Sequence, residues 1–200
     1  MDLTGPATAN EPAHALLAAW ANYYVITGSA AAALTGLQFV VQTLIAQSDV
    51  PSPTGNAAEH TVAAFATPTV VHFAAVLLLS AGLSAPWPSV ASARLALLAA
   101  GLGGLAYAVV VFRRTRRQTA YAPVMEDWVW HVALPMTAYG GIAGGAGLVR
   151  DTQAAFFVVA AMSLLLLCVG VHNAWDTVTY LTARRRPGRD PASEVGAAPQ

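Results

Sequence analysis

The side chains of this chain that could carry chemistry are histidines and carboxylates near the ends of long apolar stretches. Imidazole together with carboxylate can hold iron, zinc or manganese, and the same groups can pass protons from one to the next. The sequence therefore predicts a polar site that binds a transition metal or relays protons. Its candidate residues are Glu59, His60, His72, Glu126, Asp127, His131, His172 and Asp176.

Two of the candidate carboxylates lie one helical turn from a candidate histidine. Asp127 precedes His131 by four residues and Asp176 follows His172 by four, so each pair shares one face of a helix. A carboxylate in this position can fix the tautomer of the histidine or join it as a ligand. We expect these four residues to bind the cation or to relay the protons.

His72 lies apart from the other candidates, twelve residues beyond His60, and so roughly 18 Å deeper at a helical rise of about 1.5 Å per residue. An ionisable side chain at this depth is costly and usually faces the interior of the bundle. Pro68 and Pro135 lie in two of the same apolar stretches, and each removes a helical hydrogen bond to a carbonyl one turn earlier. We therefore expect His72 to extend the polar path inward.

The elements that must position these residues are five apolar stretches. Each is long enough to cross a hydrocarbon core of about 30 Å, which takes roughly 20 helical residues. Hydrophobic residues make up 56% of the 200 residues and charged ones only 10%, which leaves little chain for a soluble domain. The sequence predicts an all-α membrane bundle of five transmembrane helices surrounded by lipid. The predicted spans are Leu16–Ala46, Thr61–Ser84, Val90–Phe112, Trp128–Val149 and Thr152–Asn173.

The distribution of arginine predicts the orientation of the bundle. The chain has ten basic residues, all of them arginine, and eight follow the third or the fifth stretch. Basic residues accumulate on the cytoplasmic side of membrane proteins, so both segments should be cytoplasmic, with only Arg94 and Arg150 on the other side. The amino terminus is then outside and the carboxyl terminus inside. With this topology the candidate residues of three stretches, except His72, meet at the cytoplasmic end.

The sequence predicts three regions along the chain. Residues 1–15 form a lead-in, residues 16–183 form the bundle with a helical extension after the fifth span, and residues 184–200 form a tail. The tail is basic at first and then rich in Pro and Ala, with too few large apolar residues to offset the entropy of folding. We expect it to be disordered.

Small residues recur at a spacing of four in the first and fourth stretches. Such residues let helices approach closely in lipid, either within one chain or between copies. The sequence leaves both possibilities open. The residues are Gly28, Ala32 and Gly36 in the first stretch, and Gly140 with Gly144 and Gly141 with Gly145 in the fourth.

One segment carries a resemblance. Gly28–Val40 reads GSAAAALTGLQFV, a histidine-bearing second stretch follows it, and Pro86-Trp87 lies in the loop after that. In these features the chain resembles a group of short bacterial multi-pass membrane proteins. The resemblance implies an all-helical fold in the bacterial inner membrane, and it carries no activity to transfer.

Three functions stay open at this point. The first is the metal or proton site, which would serve a redox enzyme or a transporter. The second is a scaffold that binds another membrane protein or a second copy of the chain through its Gly/Ala ridges. The third is a haem-binding bundle, for which His131 and His172 would be the two axial ligands at equal depth. No complete catalytic motif is present, and nucleic acid is not an expected partner.

Overall fold

The computed structural model describes residues 11–46, 56–117 and 125–184, and within these ranges it is helical and has no β-strand. The predicted all-α fold is confirmed. Most of the predicted lead-in, the loop before residue 56 and the tail after residue 184 lie outside the described residues. The helices are α1 (Glu11–Ala46), α2 (Asn56–Leu83), α3 (Val90–Arg117), α4 (Met125–Trp128), α5 (Leu134–Gly147) and α6 (Thr152–Arg184), with a π-helical turn at Val129–Ala133 between α4 and α5.

Three helical segments are long and apolar enough to cross a membrane. They are Ala15–Thr43, Val90–Arg116 and Thr152–Thr179, of 29, 27 and 28 residues. A shorter apolar segment covers Pro68–Leu83 of α2. The π turn joins α4 and α5 into one unbroken helical stretch over residues 125–147. The described chain thus contains at least three helices of membrane-spanning length.

The helices form a bundle with α2, α5 and α6 at its centre. α6 packs against α2 and α5, while α1 covers α2 and α3 covers α5. Between α1 and α2 the hydroxyls of Thr27 and Ser80 lie 3.2 Å apart. The hydroxyl of Tyr23 reaches across to α6 and donates to the carbonyl of Ala160 at 2.6 Å. These contacts fix the depth of the helices relative to one another.

Side chains cap the first turns of the two helices that follow the described connections, α3 and α6. The hydroxyl of Ser89 accepts a hydrogen bond from the amide of Ser92 at 3.1 Å, which caps α3. The carboxylate of Asp151 accepts one from the amide of Ala154 at 2.6 Å, which caps α6. Each cap satisfies a backbone amide that the first turn of a helix leaves without an internal acceptor.

Arg94 joins these two connections at one end of the bundle. Its guanidinium donates from Nε to the carbonyl of Ala146 at 2.9 Å and from Nη2 to the carbonyl of Val149 at 2.5 Å. Both carbonyls lie at the end of α5, where the helix leaves its last carbonyls unpaired. A cation at this end also complements the helix dipole. Arg94 therefore fixes the start of α3 to the end of α5.

The two overlapping glycine pairs of α5 have different surroundings. A Cβ atom at Gly141 would lie 2.6 Å from the side chain of Met162, and one at Gly145 would lie 3.0 Å from Val158, so this pair packs against α6. Among the described residues, a Cβ atom at Gly140 or Gly144 would meet nothing within 4 Å. The pair Gly141/Gly145 therefore serves packing within the bundle, whereas Gly140/Gly144 is open.

The adjacent glycines provide a matched test of this packing. We expect Gly141→Leu to lower the free energy of unfolding by about 1–3 kcal/mol, because the new side chain would overpack the contact with Met162. Gly140→Leu should stay close to the parent protein in the monomer. Thermal unfolding of both variants in mild detergent measures the difference, and equal stability would contradict the packing described for α5 and α6.

Candidate functional site

The candidate site begins at the π-helical turn between α4 and α5. Pro135 has no amide proton, so the carbonyl of His131 loses the donor that a regular helix would supply. One turn is widened at this point, and the amide of Leu134 donates to the carbonyl of Val129, five residues back. His131 lies in this turn and is buried. π-Helical turns of this kind are frequent at functional sites.

His72 is buried in the interior of the bundle and pairs with Tyr139. The two residues are each 2% exposed, and His72 Nδ1 lies 3.0 Å from the Tyr139 hydroxyl. His72 Nε2 has no partner among the described residues. If the tyrosine donates to Nδ1, only the Nε2 proton remains unpaired, whereas the opposite arrangement leaves both the tyrosine proton and the Nε2 lone pair unpaired. The first arrangement, with the histidine proton on Nε2, leaves fewer buried groups unpaired. It is therefore favoured, because each unpaired buried group costs free energy.

Gly104 of α3 provides the space for the ring of Tyr139. A Cβ atom at this position would overlap the ring, whereas one at the adjacent Gly103 would meet nothing within 4 Å. α3 therefore approaches α5 closely where Tyr139 points toward α2. This close approach holds the hydroxyl of Tyr139 beside His72.

A series of ionisable side chains extends from His72 toward the end of the bundle at which α4 begins. His72 lies near enough to His131 for their charges to interact. His131 interacts in the same way with Asp127, Asp176 and His172. The series therefore runs from a buried tyrosine and histidine, through a second buried histidine, to three groups on α4 and α6.

His172 closes the series at the surface of the bundle. Its ring stacks on that of Trp130, with centroids 3.7 Å apart and planes inclined by 12°. Its Nε2 lies 3.9 Å from Glu126 Oε1, and the two side chains are 31% and 72% exposed. An ion pair at this distance and exposure contributes at most about 1 kcal/mol. Stacking on Trp130, rather than the ion pair, orients the imidazole of His172.

The structure thus brings six of the eight predicted site residues into one region. These are His72, Glu126, Asp127, His131, His172 and Asp176. Glu59 and His60 belong to α2, but the positions of their side chains lie outside the described part of the structure. Among the described residues, no group of three or more His, Cys, Asp or Glu side chains is arranged to hold a metal ion.

Two residues of the site were not predicted from the sequence. Tyr139 is the partner of His72, and Trp130 stacks on His172. The signal that the sequence offers for Tyr139 is that it is the one tyrosine of the fourth apolar stretch.

An apolar layer separates the His72–Tyr139 pair from the opposite end of the bundle. The next buried polar groups in that direction are the hydroxyls of Thr27 and Ser80, two helical turns beyond His72 along α2. Completely buried side chains from three helices fill the space between. They are Val76, Ile142 and Leu166. The ionisable series therefore extends toward only one end.

The chain matches no protein-family model, no curated protein and no solved structure.

Adjacent glycines test whether α3 positions the tyrosine. We expect Gly104→Ala to displace the ring of Tyr139 and to lower the free energy of unfolding by about 1–3 kcal/mol. Gly103→Ala should be neutral or stabilising by up to about 1 kcal/mol, because alanine favours the helix. Nitrogen-15 NMR of the His72 ring provides the specific measurement: Gly104→Ala should change the Nδ1 resonance as Tyr139→Phe does. An unchanged resonance would contradict the positioning role.

Proposed function

We propose that this chain is a multi-pass protein of the bacterial inner membrane with five spans, its amino terminus outside and its carboxyl terminus in the cytoplasm. The three segments of membrane-spanning length support the proposal. The two other spans would be α2, with 28 residues, and the stretch over residues 125–147. At about 1.5 Å per residue, each is longer than a hydrocarbon core of about 30 Å. The arginines in the last turns of α3 and those at and after the end of α6 support the orientation.

Large apolar side chains on the outer faces of the helices fit a lipid environment. They come from α1, α2, α3 and α6, and they are more than half exposed. In water such a surface would mark an interaction site, whereas in a bilayer it contacts acyl chains. Examples are Ile26, Leu37, Leu78, Leu95 and Phe157.

Within this bundle we propose that the ionisable series relays protons between the cytoplasmic face and the His72–Tyr139 pair. The observation that carries the proposal is the buried pair itself, with His131 near enough for its charge to act on His72 and with Asp127, His172 and Asp176 near His131. Histidine accepts and donates protons near neutral pH. An intramembrane ionisable residue of this kind is typical of proton paths in pumps and transporters.

Exchange of the ring protons tests the relay. In the parent protein in lipid nanodiscs, we expect the Nε2 proton of His72 to exchange with solvent deuterium readily. Replacing His131 with leucine removes the intermediate carrier at similar volume and should slow the exchange about tenfold or more, as loss of a general acid–base group does. Nitrogen-15 NMR of histidine-labelled protein follows the rate.

Cys168→Ala is the matched control for this experiment. Cys168 is exposed on α6, one turn from His172, and lies outside the series. Its replacement should leave the exchange rate at His72 unchanged. Equal rates in the parent protein and in His131→Leu would disprove the relay.

The metal site remains the second proposal for the same residues. Its support is the set of imidazoles and carboxylates at the end of α4 and α6, to which Glu59 and His60 of α2 would add further ligands. Iron, zinc or manganese would suit these donors. The relay is the better-supported function, because the described residues offer no group of three such ligands.

Elemental analysis separates the two proposals. If the site binds a metal, protein purified without chelator should carry stoichiometric iron, zinc or manganese, and His131→Ala with His172→Ala should lose it while expression stays nearly unchanged. If the residues relay protons, parent and variant should both be free of metal. A Soret band would instead favour the haem-binding bundle, and equal metal content in parent and variant would exclude His131 and His172 as ligands.

The scaffold is the third proposal, and the open pair Gly140/Gly144 favours it. A Cβ atom at either glycine meets nothing within 4 Å among the described residues, and small residues at this spacing pack helices in lipid. A second copy of the chain or another membrane protein could cover this surface. Cross-linking in native membranes would detect such a contact, and its loss in Gly140→Leu would locate it.

A further inference from the structure

Two helices that pack on α2 each carry a buried stripe that ends in an amide side chain. In both stripes the members are seven residues apart, a spacing that keeps them on nearly the same face of a helix. In each stripe the first two residues are apolar or aromatic and the third is a polar amide. The stripes consist of Tyr24, Ala31 and Gln38 on α1 and of Val159, Leu166 and Asn173 on α6.

The contacts between the helices place the two amides at about the same depth. Thr27 and Ser80 are in contact, and α1 and α2 run in opposite directions, so eleven residues further along α1 and eleven residues back along α2 lead to Gln38 and Thr69. The same count applies to α6 and α2. A Cβ atom at Gly170 would meet the ring of Phe73, so three residues further along α6 lie at Asn173, and three residues back along α2 lie at Val70, the residue after Thr69.

Neither amide is fully satisfied by the described residues. Gln38 is 3% exposed and Asn173 2%. Gln38 Nε2 and both polar atoms of the Asn173 side chain have no hydrogen-bond partner among the described residues. A buried amide without a partner costs roughly 2–7 kcal/mol, and a bilayer provides no water to reduce this cost. Two such side chains at one depth therefore point to a ligand that satisfies both.

The backbone of α2 adds a further oxygen at this depth. Pro68 is completely buried beside Thr69. Because proline has no amide proton, the carbonyl of Ala64 loses its usual helical donor. α2 continues through this position, so only one carbonyl loses its donor, whereas in several transporters the carbonyls of unwound helix segments coordinate cations. Thr69, the residue after Pro68, is also buried and carries a hydroxyl oxygen.

We propose that Gln38, Asn173 and the carbonyl of α2 that Pro68 leaves without a donor bind a dehydrated monovalent alkali cation. Rotation by 180° about the last side-chain bond of an amide exchanges its oxygen and nitrogen, so both amides can direct an oxygen to the ion. The donor set is neutral, with no carboxylate among its members. Neutral oxygens can replace the hydration shell of a monovalent ion, whereas calcium and magnesium sites rely on carboxylates. The site is separate from the proton relay and does not depend on it.

Thermal unfolding of the full chain in mild detergent tests the proposal. The parent protein is heated in sodium chloride, potassium chloride or choline chloride at equal ionic strength. Because a ligand that binds only the folded state stabilises it, Tm should rise with the concentration of one alkali salt relative to choline. The salt that gives the larger rise identifies the ion.

Variants assign the effect to the two amides. Gln38→Leu and Asn173→Leu should each lose the ion-dependent rise in Tm. The control is Ser163→Ala, because Ser163 is buried on α6 but donates to the carbonyl of Val159 at 2.8 Å and is away from the site. It should retain the rise.

Two outcomes would overturn the proposal. One is a parent protein whose Tm is the same in all three salts, and the other is a rise that persists in both leucine variants. If a leucine variant does not fold, equilibrium dialysis of the parent protein with radioactive sodium and rubidium replaces the comparison. Stoichiometric binding of either ion supports the site, and absence of both excludes it.

Discussion

The need to pair every polar group inside the bundle governs most of this structure. In a bilayer a buried donor or acceptor cannot turn to water, so its partner must come from the protein. Hydroxyl side chains meet this need locally: those of Thr35 and Ser163 donate to the carbonyl four residues back. Arg94 meets it across a connection, and Nδ1 of His72 meets it between two helices. The few groups that do not meet it are therefore the strongest indications of function.

Close approach of the helices makes these long-range partners available. Gly104 allows α3 to contact the ring of Tyr139, and Gly170 allows α6 to contact the ring of Phe73. Tyr139 is the hydrogen-bond partner of His72, and Phe73 follows His72 in the chain. The position of the histidine is thus set by two glycines on helices to which it does not belong. Packing and polar chemistry cannot be separated in this part of the bundle.

The sequence predicts the helical class well, because apolar stretches of this length have few alternatives. It also predicts that His131, His172 and their carboxylates share a region, since helix spacing and topology bring them to one end. It does not predict Tyr139, Trp130 or the carbonyl partners of Arg94, because these depend on how helices rotate about their axes. It also does not predict that Gln38 and Asn173 end buried stripes at one depth. Such matches arise from register between helices, which no single segment encodes.

The π turn has a consequence for how the fourth apolar stretch must be aligned with any related chain. His131 and Tyr139 are eight residues apart, so in a regular α-helix they would differ by about 80° around the axis. The turn at Val129–Ala133 accommodates one extra residue, which reduces the difference to roughly 20° and directs both side chains to the same side of the helix as His72. The length of this turn is therefore part of the site. A homologue with one residue fewer between Trp128 and Pro135 could keep every polar side chain and still lack the connection.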